Sequence, residues 1–196
     1  NPGNTAIGTR SFGSDASMVA DMVIKELEGL SSQGVFGAVK HFPGQGGVSG
    51  DSHDGAVTLD KSLEELMQTE LVPFQKALEN GVSFVMVGHI SVPQVVGDNT
   101  PASLSQMMVS NVLREQLGYQ GIVITDAMNM GAVTGNYTAD QAAVMAVNAG
   151  VDMILMPQDY ETAYNGLLQA VQDGTISEER IDESVERIVK VKLQMQ

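Results

Sequence analysis

The chain has 196 residues, with 10 Lys and Arg against 24 Asp and Glu, which gives a formal net charge of −14. This acidity argues against nucleic acid and anionic membrane surfaces as partners, because both attract clusters of Lys and Arg. No apolar run reaches the roughly 18 residues of a membrane span, and the absence of Cys excludes disulfides and thiol chemistry. The length suits a single domain over residues 1–196, and the composition suits either the cytoplasm or the secreted and envelope compartments.

Short apolar runs alternate with longer helical patterns. The runs predicted as strands are 5–9, 35–42, 82–90, 121–126 and 151–156. The segments predicted as helices are 15–30, 62–79, 105–117, 139–149, 159–173 and 177–194. Asp15 is a candidate N-cap, and Ser62 with Glu65 matches a capping box. Because strands that are apolar on both faces are typical of parallel sheets covered by helices, the pattern predicts a parallel α/β fold.

Polar side chains follow the ends of three predicted strands. Lys40 and His41 close the first of them, His89 closes the next and Asp126 closes a third. In a (β/α)8 barrel the active site lies at this carboxyl-terminal rim. An open doubly wound sheet also binds ligands at this edge, so the clustering alone leaves both architectures open. A full barrel takes about 250 residues, whereas this chain has four clear units and a candidate fifth.

The segment from Lys40 to His53 combines cationic, acidic and glycine residues. A glycine-rich surface loop is the simplest interpretation, and no phosphate-binding motif is present. Asp51 and His53 are one residue apart, so the carboxylate can accept a hydrogen bond from the imidazole and raise its basicity. An imidazole held in this way can transfer a proton near neutral pH. A metal site including His41 and His89 is disfavoured, because the neighbouring lysine would repel a cation.

Two further residues, Asp126 and Arg10, have both a chemical and a structural interpretation. Asp126 is either a nucleophile or base at the rim, or the N-cap of a short helix that follows it. The Arg10 guanidinium can donate paired hydrogen bonds to a hydroxyl or carboxylate of a ligand, or it can form an ordinary salt bridge in the loop. Asp152 stands at the start of a predicted strand, the end opposite the rim, and is interpreted as structural.

Together these motifs resemble a known family. The segments KHFPGQGGVSGDSH, GIVITDAMNMGAV, AVNAGVDMILMP and NPGNTAIGTRSFGSD are similar to the catalytic barrel of glycoside hydrolase family three. The resemblance is strongest to the bacterial β-N-acetylglucosaminidase branch and covers nearly the whole chain. It implies a (β/α)8 TIM-type barrel, of which this chain holds only the C-terminal five or so β/α units.

The resemblance also implies a role for each candidate residue. Asp126 matches the nucleophile, His53 the general acid/base and Asp51 its dyad partner. The residues that match sugar-binding positions are Arg10, Lys40 and His41. We add His89 as a substrate-binding residue, because it ends a strand at the same rim. The chemistry is that of a retaining glycosidase with a covalent glycosyl-enzyme, and it implies no metal or organic cofactor.

We therefore expect an exo-β-N-acetylglucosaminidase that removes terminal β-linked N-acetylglucosamine from cell-wall or chitin-type oligosaccharides, as in peptidoglycan turnover. The alternatives are a β-glucosidase or β-xylosidase, a glycoside phosphorylase of the same family, and a catalytically silent sugar-binding fragment. The family strands that precede the Arg10 segment have no counterpart here. We accordingly expect an open edge that favours self-association or a partner chain that completes the barrel.

Overall fold

A computed structural model describes residues 1, 3–4, 6–48 and 55–194 of the chain. Within these residues the strands are β1 (Ala38–Phe42), β2 (Val57–Thr58), β3 (Phe84–Val87), β4 (Ile90–Ser91) and β5 (Ile122–Thr125). The α-helices are α1 (Ala16–Ser31), α2 (Leu63–Gln68), α3 (Leu71–Glu79), α4 (Pro93–Val96), α5 (Gly131–Thr134), α6 (Ala139–Ala149), α7 (Tyr160–Gln172) and α8 (Glu178–Gln194). Short 3-10 helices cover Gly8–Arg10, Gln45–Gly47 and Ala102–Leu104, and a helix of π type covers Met107–Gln116.

The main sheet consists of β1, β3 and β5 in that order, with all neighbours parallel. A bridge between Ile124 and Met153 extends the sheet beyond β5 in the same parallel sense. Parallel strands that follow one another in chain order, with helices between them, are the arrangement of successive units in a TIM-type barrel. The predicted parallel α/β fold is confirmed, and the chain forms part of such a barrel.

The core lies between the sheet and the helices that cover it. Phe42 of β1 is fully buried and meets Phe74 of α3 edge to face, with ring centroids 5.4 Å apart. Val85 and Val87 of β3 are also fully buried, as the central strand of a covered parallel sheet should be. None of the helices in the described part of the chain is both long enough and apolar enough to cross a bilayer.

The predicted helix starts are confirmed in detail. The Asp15 carboxylate accepts a hydrogen bond from the Met18 amide at 2.8 Å, which caps α1. Ser62 and Glu65 form the predicted capping box. The predicted helix 62–79 is interrupted, however, because the Thr69 backbone leaves the helical region and the chain restarts as α3.

Two predicted strands are wrong. Around residues 5–9, of which residue 5 lies outside the described set, the chain forms the 3-10 helix Gly8–Arg10, with Gly8 at a φ of +52°. In segment 151–156 only Met153 bridges the sheet. The amides of Asp152 and Met153 both donate to the same Val123 carbonyl. This shared acceptor interrupts the regular ladder, so a β-rich sequence fails to form a full strand there.

Asp152 joins the base of the sheet to the helices around it. Its side chain is fully buried. Arg114 and Arg187 pair with its two oxygens at 2.5 and 3.1 Å, and Ser184 donates at 2.7 Å. The Val123 amide donates to the same carboxylate at 2.9 Å. The predicted structural role of Asp152 is therefore supported by contacts to the π-type helix, β5 and α8.

Replacing Asp152 by Asn should lower the free energy of unfolding by about 3–5 kcal/mol, because it leaves buried guanidinium groups without their counter-charge. Urea unfolding followed by circular dichroism measures the change. The matched control is Glu79→Gln, which removes an exposed ion pair with Lys76 and should cost less than about 1 kcal/mol. Equal, small losses in both variants would contradict the structural role.

Candidate active site

Three polar side chains meet where β1, β3 and β5 end. His41 lies in β1, His89 is two residues beyond β3, and Asp126 directly follows β5. The Asp126 amide donates to the carbonyl of Val87 at 2.9 Å, which fixes the start of the turn against the neighbouring strand. The peptide bond that joins Lys40 to His41 is cis. The predicted convergence of these residues on one rim is thus present in the fold.

The two oxygens of the Asp126 carboxylate have different surroundings. Oδ1 accepts a hydrogen bond from the Ala127 amide at 2.8 Å. Oδ2 lies 3.5 Å from Nε2 of His41, and the side chain is 15% exposed. The next α-helix begins only at Gly131 and its N-cap is Met130, so the N-cap interpretation of Asp126 is wrong. One oxygen is held by the backbone, and the other faces the rim.

His41 is a neutral imidazole at neutral pH. Burial lowers its pKa to about 4, although the adjacent Asp126 carboxylate opposes this shift. The positive charges of Lys40 and Arg10 lower the pKa further, and His89 acts in the same direction. Nε2 faces the carboxylate, whereas Nδ1 is buried and has no hydrogen-bond partner among the described residues. His41 therefore lies beside Asp126 without placing a positive charge against the carboxylate.

Arg10 and Lys40 are the exposed cations of this rim. Arg10 ends the 3-10 helix Gly8–Arg10, and its guanidinium donates to the carbonyl of Ala6. Both cations are close enough to His41 to influence its pKa. The fold therefore brings Arg10 from the N-terminal segment to the side chains that end the strands.

His89 is placed differently from the prediction. It is 1% exposed. Its Nδ1 lies 2.7 Å from Oγ of Ser103, and its Nε2 lies 3.0 Å from the carbonyl oxygen of Ala127. Both ring nitrogens thus have protein partners, and this geometry does not fit the predicted contact with a sugar.

Asp51 and His53 lie outside the described residues, so their roles stay predictions. The residues on both sides of them make defined contacts. Before them, Asn4 donates to the carbonyls of Gln45 and Val48 at 2.6 and 3.1 Å. After them, Val57 of β2 pairs with Ile90 of β4, the residue that follows His89. Both flanks therefore lie beside the rim.

Sequence reasoning missed Glu70, which explains the glycines of the loop that follows β1. Glu70 pairs with Lys61 at 2.6 Å, and its side chain is 11% exposed. A Cβ atom at Gly44, whose φ is +141°, would lie 2.5 Å from Cβ of Glu70. A Cβ atom at Gly47 would lie 2.6 Å from a Glu70 oxygen. The glycines make room for this carboxylate, a contact between distant segments that no local motif signals.

Asn4 was also missed. It is 5% exposed, and its side chain ties the N-terminal segment to the glycine-rich loop. Its oxygen accepts from the Ile7 amide at 2.9 Å, just before the 3-10 helix that carries Arg10. Within the described parts of the chain, no group of three or more His, Asp or Glu side chains is arranged to hold a metal ion.

Comparison with known proteins defines the class of protein. Residues 1–191 match the description "Glycosyl hydrolase family 3 N terminal domain". The chain therefore belongs to glycosyl hydrolase family 3, which confirms the resemblance found in its motifs.

Individual relatives have consistent names. The chain is 30% identical to "Beta-hexosaminidase A" of Pseudoalteromonas piscicida over 100% of its length, and 36% identical to "Beta-hexosaminidase LpqI" of Mycobacterium tuberculosis over 97%. The solved family 3 β-N-acetylglucosaminidase of a Paenibacillus strain superposes on the whole chain with a TM-score of 0.97 and 41% identity. The chain spans 36%, 50% and 38% of these three proteins, respectively.

The buried, neutral His41 should make stability depend on pH. Its pKa is about 4 in the folded chain against 6.5 for an unperturbed His. Between these values the unfolded chain binds a proton that the folded chain does not, so the free energy of unfolding falls as the pH falls. Wild type should lose up to about 3 kcal/mol more than His41→Gln between pH 7 and pH 4, at 1.36 kcal/mol per pKa unit. Urea unfolding over this pH range measures the difference, and parallel curves would contradict the assignment.

Proposed function

We propose that the chain is the catalytic part of a retaining exo-β-N-acetylglucosaminidase. The observation that carries the proposal is the Asp126 carboxylate, which has one oxygen bound to the backbone and the other beside a neutral His41 at the barrel rim. Membership of glycosyl hydrolase family 3 supports glycosidic bond cleavage, and the β-hexosaminidase names of the relatives support the sugar.

In the first step, Oδ2 of Asp126 attacks the anomeric carbon and the glycosidic C–O bond breaks. The leaving oxygen takes its proton from His53. In the second step, His53 accepts a proton from water, and that water attacks the anomeric carbon and releases the Asp126 carboxylate. Since His41 is neutral, it leaves the negative charge on Asp126 that the attack requires.

The acid/base role of His53 is supported by chain connectivity. Val57, four residues later, pairs with Ile90 beside His89. Four residues of extended chain reach at most about 14 Å, a span that would allow His53 to act at the rim. Asp51 would hold the imidazole in one tautomer, as a carboxylate does for a catalytic histidine.

The substrate is recognised by hydrogen-bond donors around the carboxylate. Arg10 and Lys40 carry only donors and are exposed at the rim, where ring hydroxyls can accept from them. We propose terminal β-linked N-acetylglucosamine of cell-wall or chitin-type oligosaccharides as the substrate, and residues 1–196 as one partial barrel domain.

We also propose that association closes the open edge of the sheet, through a second copy or a partner chain. Apolar side chains lie exposed on the first and last helices, at Met18 and Met22 of α1 and at Val185 and Val189 of α8. Sedimentation velocity over a range of concentrations tests self-association. A monomer that persists at high concentration would contradict the second-copy form.

Asp126→Asn should lower kcat on an aryl N-acetyl-β-glucosaminide by at least about 10³-fold, because an amide cannot form the covalent intermediate. His53→Gln should cost about 10²–10⁴-fold, and less with a leaving group that needs no protonation. The matched control is Asp159→Asn, which changes the exposed N-cap of α7 and should leave kcat unchanged. Steady-state kinetics with product analysis measures these effects.

Three outcomes would contradict the proposal. Full activity in Asp126→Asn would remove the nucleophile from this residue. Sugar binding without any turnover by the wild-type chain would favour a silent fragment. Formation of a sugar 1-phosphate that depends on added phosphate would favour a phosphorylase of the same family.

A further inference from the structure

The neighbours of His89 show that its Nε2 atom carries a proton. The carbonyl oxygen of Ala127, 3.0 Å from Nε2, can only accept a hydrogen bond, so Nε2 must carry the proton. In the neutral ring Nδ1 is then an acceptor, and the Ser103 hydroxyl at 2.7 Å donates to it. Ser103 is fully buried, and its amide donates a hydrogen bond to the carbonyl of Gly88 at 3.2 Å. This backbone hydrogen bond holds Ser103 next to the end of β3, with its hydroxyl facing His89.

Ala127 connects this pair to the nucleophile. Its amide donates to Oδ1 of Asp126 at 2.8 Å, while its carbonyl accepts from His89. The backbone on either side is also held, since the Asp126 amide donates to Val87 and the Met128 amide donates to Leu155, each at 2.9 Å. The carbonyls of Val87 and Leu155 hold the residues on either side, and His89 donates to the Ala127 carbonyl between them.

The orientation of Ala127 determines where the carboxylate points. The Ala127 carbonyl and the Ala127 amide belong to adjacent peptide planes that share the Ala127 Cα. A rotation of the carbonyl plane displaces this Cα and the amide attached to it, which weakens the hydrogen bond to Oδ1 of Asp126. Catalytic groups must be held to within about 0.5 Å of the productive geometry, and a displacement of 1 Å can cost about 10²-fold in rate. The His89–Ala127 hydrogen bond, which does not itself touch the Asp126 carboxylate, can therefore affect the chemical step.

We propose that Ser103 and His89 form a hydrogen-bond relay that positions the Asp126 carboxylate through the backbone of Ala127. His89 is then a positioning residue rather than a sugar ligand, which accounts for its burial at the rim. The proposal rests on the proposed function only in taking Asp126 as the nucleophile. The relay itself can be tested without turnover.

The kinetic test compares His89→Met with His89→Gln. Met fills a similar volume without a donor, whereas the Gln amide can donate to the Ala127 carbonyl as Nε2 does. We expect His89→Met to lower kcat per folded enzyme by about 10²-fold with less than about a threefold change in KM, and His89→Gln to recover at least tenfold. The matched control is Ser91→Ala, which removes another buried serine that donates to a carbonyl, that of Asn99. It should change stability but not kcat.

The structural test uses NMR of the unmodified chain and the same variants. His89 should show a protonated Nε2. Hydrogen exchange at the Ala127 amide should accelerate at least tenfold in His89→Met and much less in His89→Gln. An unprotonated Nε2, or equal protection of this amide in wild type and His89→Met, overturns the relay whether or not the chain turns over substrate. An unchanged kcat in His89→Met, with an active wild type, overturns the positioning role and leaves the proposed function standing.

Discussion

The site depends on how a carboxylate is kept charged at the end of a buried strand. Asp126 follows β5, whose side chains are largely buried, so its charge needs hydrogen bonds that replace water. The Ala127 amide supplies one at Oδ1, and Oδ2 keeps contact with the rim. A full counter-charge would have stabilised the ion more strongly, but it would also have reduced its reactivity. The neutral His41 avoids that result.

Asp152 shows the opposite solution for the same side chain. It lies at the base of the sheet, fully buried, with Arg114 and Arg187 on its oxygens and Ser184 donating to it. Both of its oxygens are bound by side chains of the protein, which suits a residue that connects the helices to the sheet. Among the described residues, Asp126 instead has one backbone donor and a neutral imidazole 3.5 Å away. The number of donors around each carboxylate thus separates the structural role of Asp152 from the chemical role proposed for Asp126.

The role of the glycines in the loop after β1 is also decided by a contact with a distant residue. Its flexibility suggests a mobile or ligand-binding loop when only the sequence is considered. In the fold, Gly44 and Gly47 lie against Glu70, which arrives from the break between α2 and α3. The loop that leads to Asp51 and His53 is therefore fixed at its start by packing against a carboxylate. The described part of this loop therefore begins at a defined position next to β1.

The sequence by itself determined the alternation of strands and helices, the helix caps and the convergence of His41, His89 and Asp126 on one rim. These features follow from local periodicity, local hydrogen bonds and the rule that parallel strands end on the same edge. Only the tertiary structure decided that segment 151–156 contributes a single bridge, that His89 faces Ser103 and Ala127, and that Glu70 lies against the glycines. Each of these depends on atoms from segments far apart in the chain, and the direction of a buried side chain is set by such neighbours rather than by the residues beside it.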